Sequence, residues 1–260
     1  MNFPFYIARR YLRSKSTQNA VNIINFITFI VIVIGAAALF IVLSGFAGLK
    51  AFSLQFTNTF DPDLKAIATT GKFFSISPED EKALADINGI ASYAKEIEER
   101  VYLTFREKGD LAYIKGVDEN FLSVSNMDST LYFGNWGVSQ NNAVMGIGLY
   151  NTIGVPINNY RTPMSVLAPK PGEGSFSSQS FNTKFYNDLP LIITGVFQIE
   201  ESIDSKYVIT QLELVQRLLE KDSTQVSGIN FKLDGTIPLE EVRQKINTSL
   251  GTKALVLNRQ

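Results

Sequence analysis

The residues best spaced for chemistry are three groups of carboxylates: Asp61 with Asp63, Glu96 with Glu98 and Glu99, and Glu200-Glu201 with Asp204. Carboxylates this close in sequence can share a hard cation or divide acid and base roles. None of the groups repeats the spaced oxygen ligands of a calcium loop, and each reads better as turn-forming or solvated. Histidine and cysteine are both absent. That excludes a Ser-His-Asp triad, a thiol nucleophile, zinc in its usual ligand set and a disulfide framework. A serine activated by lysine would need neither residue, and Ser205-Lys206 and Ser14-Lys15 are adjacent pairs. A dyad is a spatial arrangement, however, and adjacency does not establish one. Gly146, Gly148 and Gly154 match neither the dinucleotide fingerprint nor the P-loop and read as helix entry and exit. Trp136 reads as core rather than as a sugar platform. The residues therefore suggest no catalytic, cofactor or metal site, and the chain reads as a non-enzyme. Its 24 basic and 25 acidic side chains leave a charge of −1, with no field to attract nucleic acid.

The element that must position everything else is near the N-terminus. No charged residue occurs from Ser16 to Leu49, and the apolar centre runs from Ile23 to Phe46. As a helix its 24 positions cover roughly 36 Å, enough for a hydrocarbon core of about 30 Å with some tilt. The β-branched run Ile30–Ile34 would favour a strand in water, but in lipid the backbone must satisfy itself and helix wins. The segment is too long for a signal peptide, and no lipoprotein cysteine follows it. Arg9, Arg10, Arg13 and Lys15 precede it, and the next acid is Asp61. The positive-inside rule places the N-terminus in the cytoplasm and the remainder outside. That remainder holds 20 basic and 25 acidic residues, about −5. Residues 1–20 form a basic segment in which Pro4, Ile7, Ala8, Tyr11 and Leu12 share a helical face opposite the arginines; it suits either an interfacial helix on anionic lipid or an unstructured flank. Residues 21–49 form the transmembrane helix. Beyond it, Leu49, Phe52, Leu54, Phe56 and Phe60 are candidates for lipid contact or for packing against other spans.

The exported part alternates strands with capped helices. Asp61-Pro62 breaks the long helix. Leu64–Thr70 reads as a strand, and Ser77-Pro78-Glu79-Asp80 opens a helix that Asn88-Gly89 ends. Ile90–Lys95, Ile97–Arg106 and Leu111–Val117 read as strands, the last pair joined at Gly109-Asp110. Near the C-terminus, Leu191–Ile199 is a strand. Thr210-Gln211-Leu212-Glu213 is a capping box before a helix with Leu212, Val215, Leu218 and Leu219 on one face. Val226–Leu233 is a strand, Pro238 opens a helix striped by Leu239, Val242, Ile246 and Leu250 and closed by Gly251, and Lys253–Leu257 is a strand. Two strand-helix-strand halves, residues 50–119 and 190–260, should pack as an α+β sandwich. Residues 120–189 differ from both, being rich in Ser, Asn, Gly and Pro with one helix near Ala143–Ile153. Within them, 169–188 reads as a projecting loop or hairpin dotted with Phe176, Phe181, Phe185 and Tyr186.

Three stretches resemble one family. FYIARRYLRSK followed by the span ending LSGFAGLK is similar to the start of lipoprotein-releasing ABC permeases of the LolC/LolE type, within the MacB/FtsX-like permease superfamily. VMGIGLYNTIGVPINNYRTPMSVLAPKPG and LIITGVFQIEESIDSKYVITQLELVQRLLEKDSTQVSGINFKL agree with the family in order and spacing. The resemblance implies a bacterial inner-membrane subunit with its main domain in the periplasm, divided into a membrane-near α+β subdomain (50–119 and 190–260) and an inserted β-rich distal subdomain (120–189), and with no ATPase activity or cofactor of its own. It implies a cytoplasmic ABC ATPase and a second permease subunit, identical or different, as partners. It further implies a lipoprotein substrate lifted from membrane lipid and handed to a periplasmic chaperone. The chaperone would dock on the segment 169–188, through Pro171, Phe176, Phe181, Phe185 and Tyr186. A MacB-like permease transmitting force for efflux is the near alternative; a peptidoglycan-regulating permease, a Ser-Lys peptidase and a single-pass sensor are more distant. Family permeases carry three further spans after the exported domain, so the chain, ending at Gln260, is expected to be the N-terminal portion of a longer permease.

Overall fold

The computed structural model describes residues 3–13, 19–60, 62–170 and 185–258, with backbone alone at 8, 11–13, 19–22 and 51–60. Two compact units divide the chain, Met1–Gln55 and Phe56–Gln260. The first holds α1 (Phe3–Arg13) and most of α2 (Asn19–Phe60). At 42 residues α2 is roughly 63 Å long, well beyond the thickness of a bilayer core. All of Ile23–Lys50 is exposed, including the β-branched run, which is helical throughout. Thr28 hides its hydroxyl by donating to the Ile24 carbonyl at 2.9 Å. An apolar surface this large and unburied needs a nonaqueous neighbour.

The second unit continues in chain order with β1 (Leu64–Ala68), β2 (Phe74–Ser75), α3 (Pro78–Ala85), β3 (Ile90–Phe105), β4 (Lys108–Val117), α4 (Phe121–Val124), a 3₁₀ turn (Met127–Thr130) and β5 (Leu131–Gly134). Then come β6 (Asn142–Gly146), α5 (Ile147–Ile153), β7 (Met164–Pro169), β8 (Tyr186–Phe197), α6 (Glu201–Asp204), β9 (Tyr207–Gln211) and α7 (Leu212–Leu218). The chain closes with β10 (Gln225–Val226), β11 (Gly228–Leu233), α8 (Leu239–Leu250) and β12 (Ala254–Asn258).

The long strand β3 joins two arrangements. Its N-terminal half pairs with β11, continuing the order β12-β1-β11-β3, all antiparallel. Leu64, Ala66, Ile229, Phe231 and Val256 of this sheet pack on Leu84 of α3 and on Val242, Ile246 and Leu250 of α8. Its C-terminal half takes β4 on one edge and β7 on the other, and the pairings β4-β9, β9-β6, β6-β8 and β8-β7 close a six-stranded ring. Alternate residues from every strand fill it, among them Val101, Leu103 and Phe105, Ala112 and Ile114, Val208, Met145, Leu191 and Val166. Closure removes sheet edges and lets each strand bury one face. A third cluster, with Ala94, Val117, Phe121, Met127 and Phe197, packs beside the ring.

Several local expectations hold. Ser77 caps α3, its hydroxyl accepting from the Asp80 amide while Asp80 Oδ2 accepts from the Ser77 amide at 2.8 Å. Val242, Ile246 and Leu250 form the buried stripe of α8, with Gly251 at its end; Leu239, on the first turn, is exposed. Gly154 ends α5 at φ 71°, a conformation natural to glycine. Other expectations change. Ile90–Phe105 is one strand rather than two. The β3-β4 turn sits at Arg106-Glu107, with Arg106 at φ 56°, and Gly109 pairs with Thr104 inside the ladder. Glycine is needed there for another reason: a Cβ would lie 2.9 Å from the Leu103 carbonyl and 2.3 Å from the Tyr102 hydroxyl. Ala143–Gly146 is strand, because β8 and β9 claim it on both sides, and only Ile147–Ile153 is helix. Thr210 is no cap. It lies in β9 and donates to the Asn142 carbonyl at 2.8 Å, so α7 begins after Gln211 without a side-chain cap. Ser227 breaks Val226–Leu233 in two, its amide donating to the Glu96 carbonyl at 2.9 Å.

Candidate functional site

The strongest concentration of buried charge crosses five strands on one face of the sheet. Strand alternation puts Glu96 and Glu98 on the same face of β3, and the register sets Lys115 of β4 opposite Glu98. Lys65 of β1 stands opposite Asn230 of β11, and β11 in turn flanks β3. Lys115 Nζ lies 2.8 Å from Glu96 Oε2 and 3.9 Å from Glu98 Oε2; Lys65 Nζ lies 2.5 Å from Glu96 Oε1. Asn230 Nδ2 donates to Glu96 Oε2 at 2.5 Å, and the Tyr207 hydroxyl of β9 donates to Glu98 Oε1 at 2.9 Å. Tyr113 stacks on Tyr207, ring centroids 5.6 Å apart. Gly228 leaves room for the group, since a Cβ there would sit 3.2 Å from Lys65 Cε.

Burial alone would raise the Glu96 pKa, but Lys115 and then Lys65 outweigh it and hold the carboxyl well below the usual carboxylate range. Burial pushes the Tyr207 phenol far up, and the adjacent Glu98 carboxylate adds to this. Each charge here has an opposite charge beside it. The group ties β1, β11, β3, β4 and β9 together. The link from α2 is anchored beside it: Asp63 Oδ2 accepts from the Leu233 amide at 2.9 Å, and the Asp63 amide donates to the Phe231 carbonyl at 3.1 Å.

This corrects the reading of Glu96 as a turn-forming or solvated carboxylate. Sequence reasoning also missed Lys115, whose one signal is a lone cation inside the apolar run Leu111–Val117. Glu99 is separate, with Lys72 Nζ 2.6 Å away. The third carboxylate group is local too: Asp204 Oδ1 accepts from the Ile199 amide at 2.9 Å, burial raises its pKa, and Glu200 accepts from the Ser202 hydroxyl. The Ser205 hydroxyl closes α6 by donating to the Glu201 carbonyl at 2.6 Å. Among the described residues no three His, Cys, Asp or Glu gather as a metal site. Asp61, Ser14 and Lys15 lie outside the described residues, and so do Pro171, Phe176 and Phe181.

Phe185 and Tyr186 are described and exposed, at 39% and 42%, at the base of the β7-β8 pairing, where Tyr186 faces Pro169 and the Lys170 amide donates to the Phe185 carbonyl at 3.0 Å. Leu49 is exposed on α2; Phe52, Leu54, Phe56 and Phe60 are helical, their side chains outside the described residues. Arg9 and Arg10 are exposed on α1, and Arg13 ends it.

Comparison with known proteins adds the family context. The family model for the MacB-like periplasmic core domain matches residues 25–249. The transmembrane protein LolE of the lipoprotein-releasing system of Haemophilus influenzae is 22% identical over 253 residues, covering 90% of this chain and 56% of that protein. The chain thus spans little more than half the length of this curated relative. The crystal structure of the periplasmic region of MacB from Actinobacillus actinomycetemcomitans superposes with a TM-score of 0.51 at 13% identity, covering 75% of this chain and 87% of that one. The extracellular domain of the noncanonical ABC-type transporter YknZ, from Gram-positive bacteria, gives 0.48 at 12%, covering 76% and 99%.

Proposed function

The chain belongs to the MacB-like periplasmic core domain family, and from that premise we propose that it is the N-terminal part of an ABC transporter permease that releases lipoproteins from the inner membrane. The observation that carries this reading is the union, in one chain, of an apolar helix, uncharged up to Leu49 and long enough to span a bilayer, with the family's mixed α/β domain. In this reading the N-terminus is cytoplasmic, on the argument of Arg9, Arg10, Arg13 and Lys15, and the ring and its flanking sheet are periplasmic. The chain hydrolyses no ATP. A cytoplasmic ATPase and a second permease subunit supply and transmit the work. The ion-paired strands beside the α2-β1 link suit a domain that must move as a body rather than yield locally. The need for work follows from the cargo: three acyl chains of about 15 methylenes each, at about 0.8 kcal/mol per methylene, are held by roughly 36 kcal/mol. A chaperone with an apolar cavity receives the cargo at 169–188, with Phe185 and Tyr186 at the base of the contact. The LolE relative supports lipoprotein release as the specific role, and the MacB-like family model supports the alternative, efflux.

Reconstitution of the complete permease and its ATPase in liposomes tests this. ATP should move a lipidated substrate into the soluble chaperone fraction, and replacing Phe185 and Tyr186 with serine should reduce that transfer. ATP-dependent transport of a small amphiphile with no lipoprotein release would overturn the reading in favour of efflux. Orientation is tested separately with a cysteine at exposed Tyr132: an impermeant maleimide should label it from the periplasm, and labelling confined to the cytoplasmic side would reverse the topology.

A further inference from the structure

A cleft of about 460 Å³ opens between the C-terminal end of β4, α4, the loop after β5 and the start of α7. Its volume falls in the range of pockets for small ligands or single large side chains. Phe121 and Trp136 line it as a stacked pair, centroids 6.2 Å apart and planes 14° from parallel. Phe121 is buried, while Trp136 keeps part of its indole accessible. Three carboxylates, Asp118, Glu119 and Glu213, line the same cleft, and none of them joins an ion pair among the described residues. Asp118 is held in place by the amides of Lys95, at 2.8 Å, and Asn120, at 3.2 Å.

The cations in the neighbourhood are already committed. Lys95 Nζ lies 2.6 Å from Glu81, and Lys115, 6.0 Å from the Phe121 ring, is answered by Glu96 and Glu98. Burial raises the Asp118 pKa, against the opposite pull of the Lys95 amide and of the Lys95 charge. An indole face beside unpaired carboxylates is the arrangement that holds a cation with an apolar stem, because the ring quadrupole and the charges attract the same sign.

We propose that this cleft binds an organic cation, a guanidinium or alkylammonium group on an apolar stem, over Trp136 and between Asp118, Glu119 and Glu213. The chemistry could arrive as the Arg or Lys side chain of a protein partner or as a free amine. The proposal does not rest on the transport reading.

Trp136 is the one tryptophan in the chain, so its fluorescence reports the cleft directly. The full chain in detergent micelles is titrated with benzylammonium and with an acetyl-Leu-Arg-Leu-amide peptide. Benzyl alcohol and the citrulline version of the peptide serve as uncharged counterparts. Asp118 is left intact because it anchors backbone amides; the variant is E119Q/E213Q, at two exposed positions. A saturable emission change with the cations but not their counterparts, about fivefold weaker in the variant, is expected. Tighter binding of the peptide assigns the cation to a protein partner, and tighter binding of benzylammonium to a small molecule. Equal responses to charged and uncharged probes, or a variant that titrates like the parent with an unchanged melting curve, would overturn the proposal.

Discussion

Lys115 Nζ and Glu96 Oε2 lie 2.8 Å apart with their side chains only 3% and 1% exposed, an ion pair formed in the middle of a sheet rather than at its rim. Removing two charges from water costs several kcal/mol each, and only close geometry with further partners recovers it. Lys65 and Asn230 are those partners for Glu96. The consequence is asymmetric: the pair adds little net stability over an apolar filling, yet losing one member leaves a buried charge exposed to a poor environment.

The first expectation follows from that asymmetry. Lys115→Met should destabilise the domain by about 3 kcal/mol, lowering Tm by roughly 6–12 °C for a unit of this size. Adding Glu96→Gln to it should recover about 1 kcal/mol, since the buried carboxylate, then answered by the partly exposed Lys65 alone, is gone. Thermal unfolding followed by Trp136 fluorescence measures both, with Glu96→Gln alone completing the cycle; losses that simply add in the double variant would mean the pair is not coupled.

The pH dependence has a definite sign. Lys115 and Lys65 depress the folded-state pKa of Glu96, so its contribution is fully present above the unfolded value of about 4.3 and is lost as the pH falls from there toward the folded value. Asp80, lowered chiefly by its bond to Lys253, acts in the same direction. Asp118 and Asp204, raised by burial, act oppositely and gain on protonation. Urea unfolding at pH 6, 5, 4 and 3 should show stability falling below about pH 4.3, with a shallower fall in K115M/E96Q than in the parent.

Gly116 marks where α7 rests on β4. A Cβ there would lie 2.7 Å from Val215 Cγ2 and 3.2 Å from Leu212 Cα, and the latter atom is backbone that cannot rotate away. Gly116→Val should therefore cost about 1–3 kcal/mol through overpacking. Val215→Ala in the same chain should relieve part of the loss, which unfolding of the single and double variants would reveal.

The ring supplies a contrast between its two faces. Leu103 is wholly buried inside it, so Leu103→Ala should cost about 2–5 kcal/mol by leaving a cavity. Leu111 lies on the neighbouring strand facing outward and exposed, and Leu111→Ser should change stability by no more than about 0.5 kcal/mol. Similar losses from both would contradict the assignment of inner and outer faces.

What the chain reveals locally, it reveals well. The span is legible because a bilayer judges a segment by length and charge, both of which are written in consecutive residues. Ser77 and Asp80 declare a helix start because a cap is completed within one turn. Val242, Ile246 and Leu250 declare a buried face because helical neighbours are also sequence neighbours.

The tertiary structure decided everything that depends on pairing between distant strands. Gly109 looks like a turn, but the pairing that puts Tyr102 opposite Leu111 makes it a point of close approach and moves the turn to Arg106-Glu107. Ala143–Gly146 has the pattern of a helix, but two strands from later in the chain bond to it. Thr210 would cap a helix in isolation; in the ring its hydroxyl serves Asn142. Glu96, Lys115 and Lys65 meet because the registers of β1, β11, β3 and β4 converge, and no local rule announces that. A strand leaves its hydrogen-bonding groups open until partners from elsewhere arrive, so its register, and every side-chain meeting that follows from it, belongs to the folded whole.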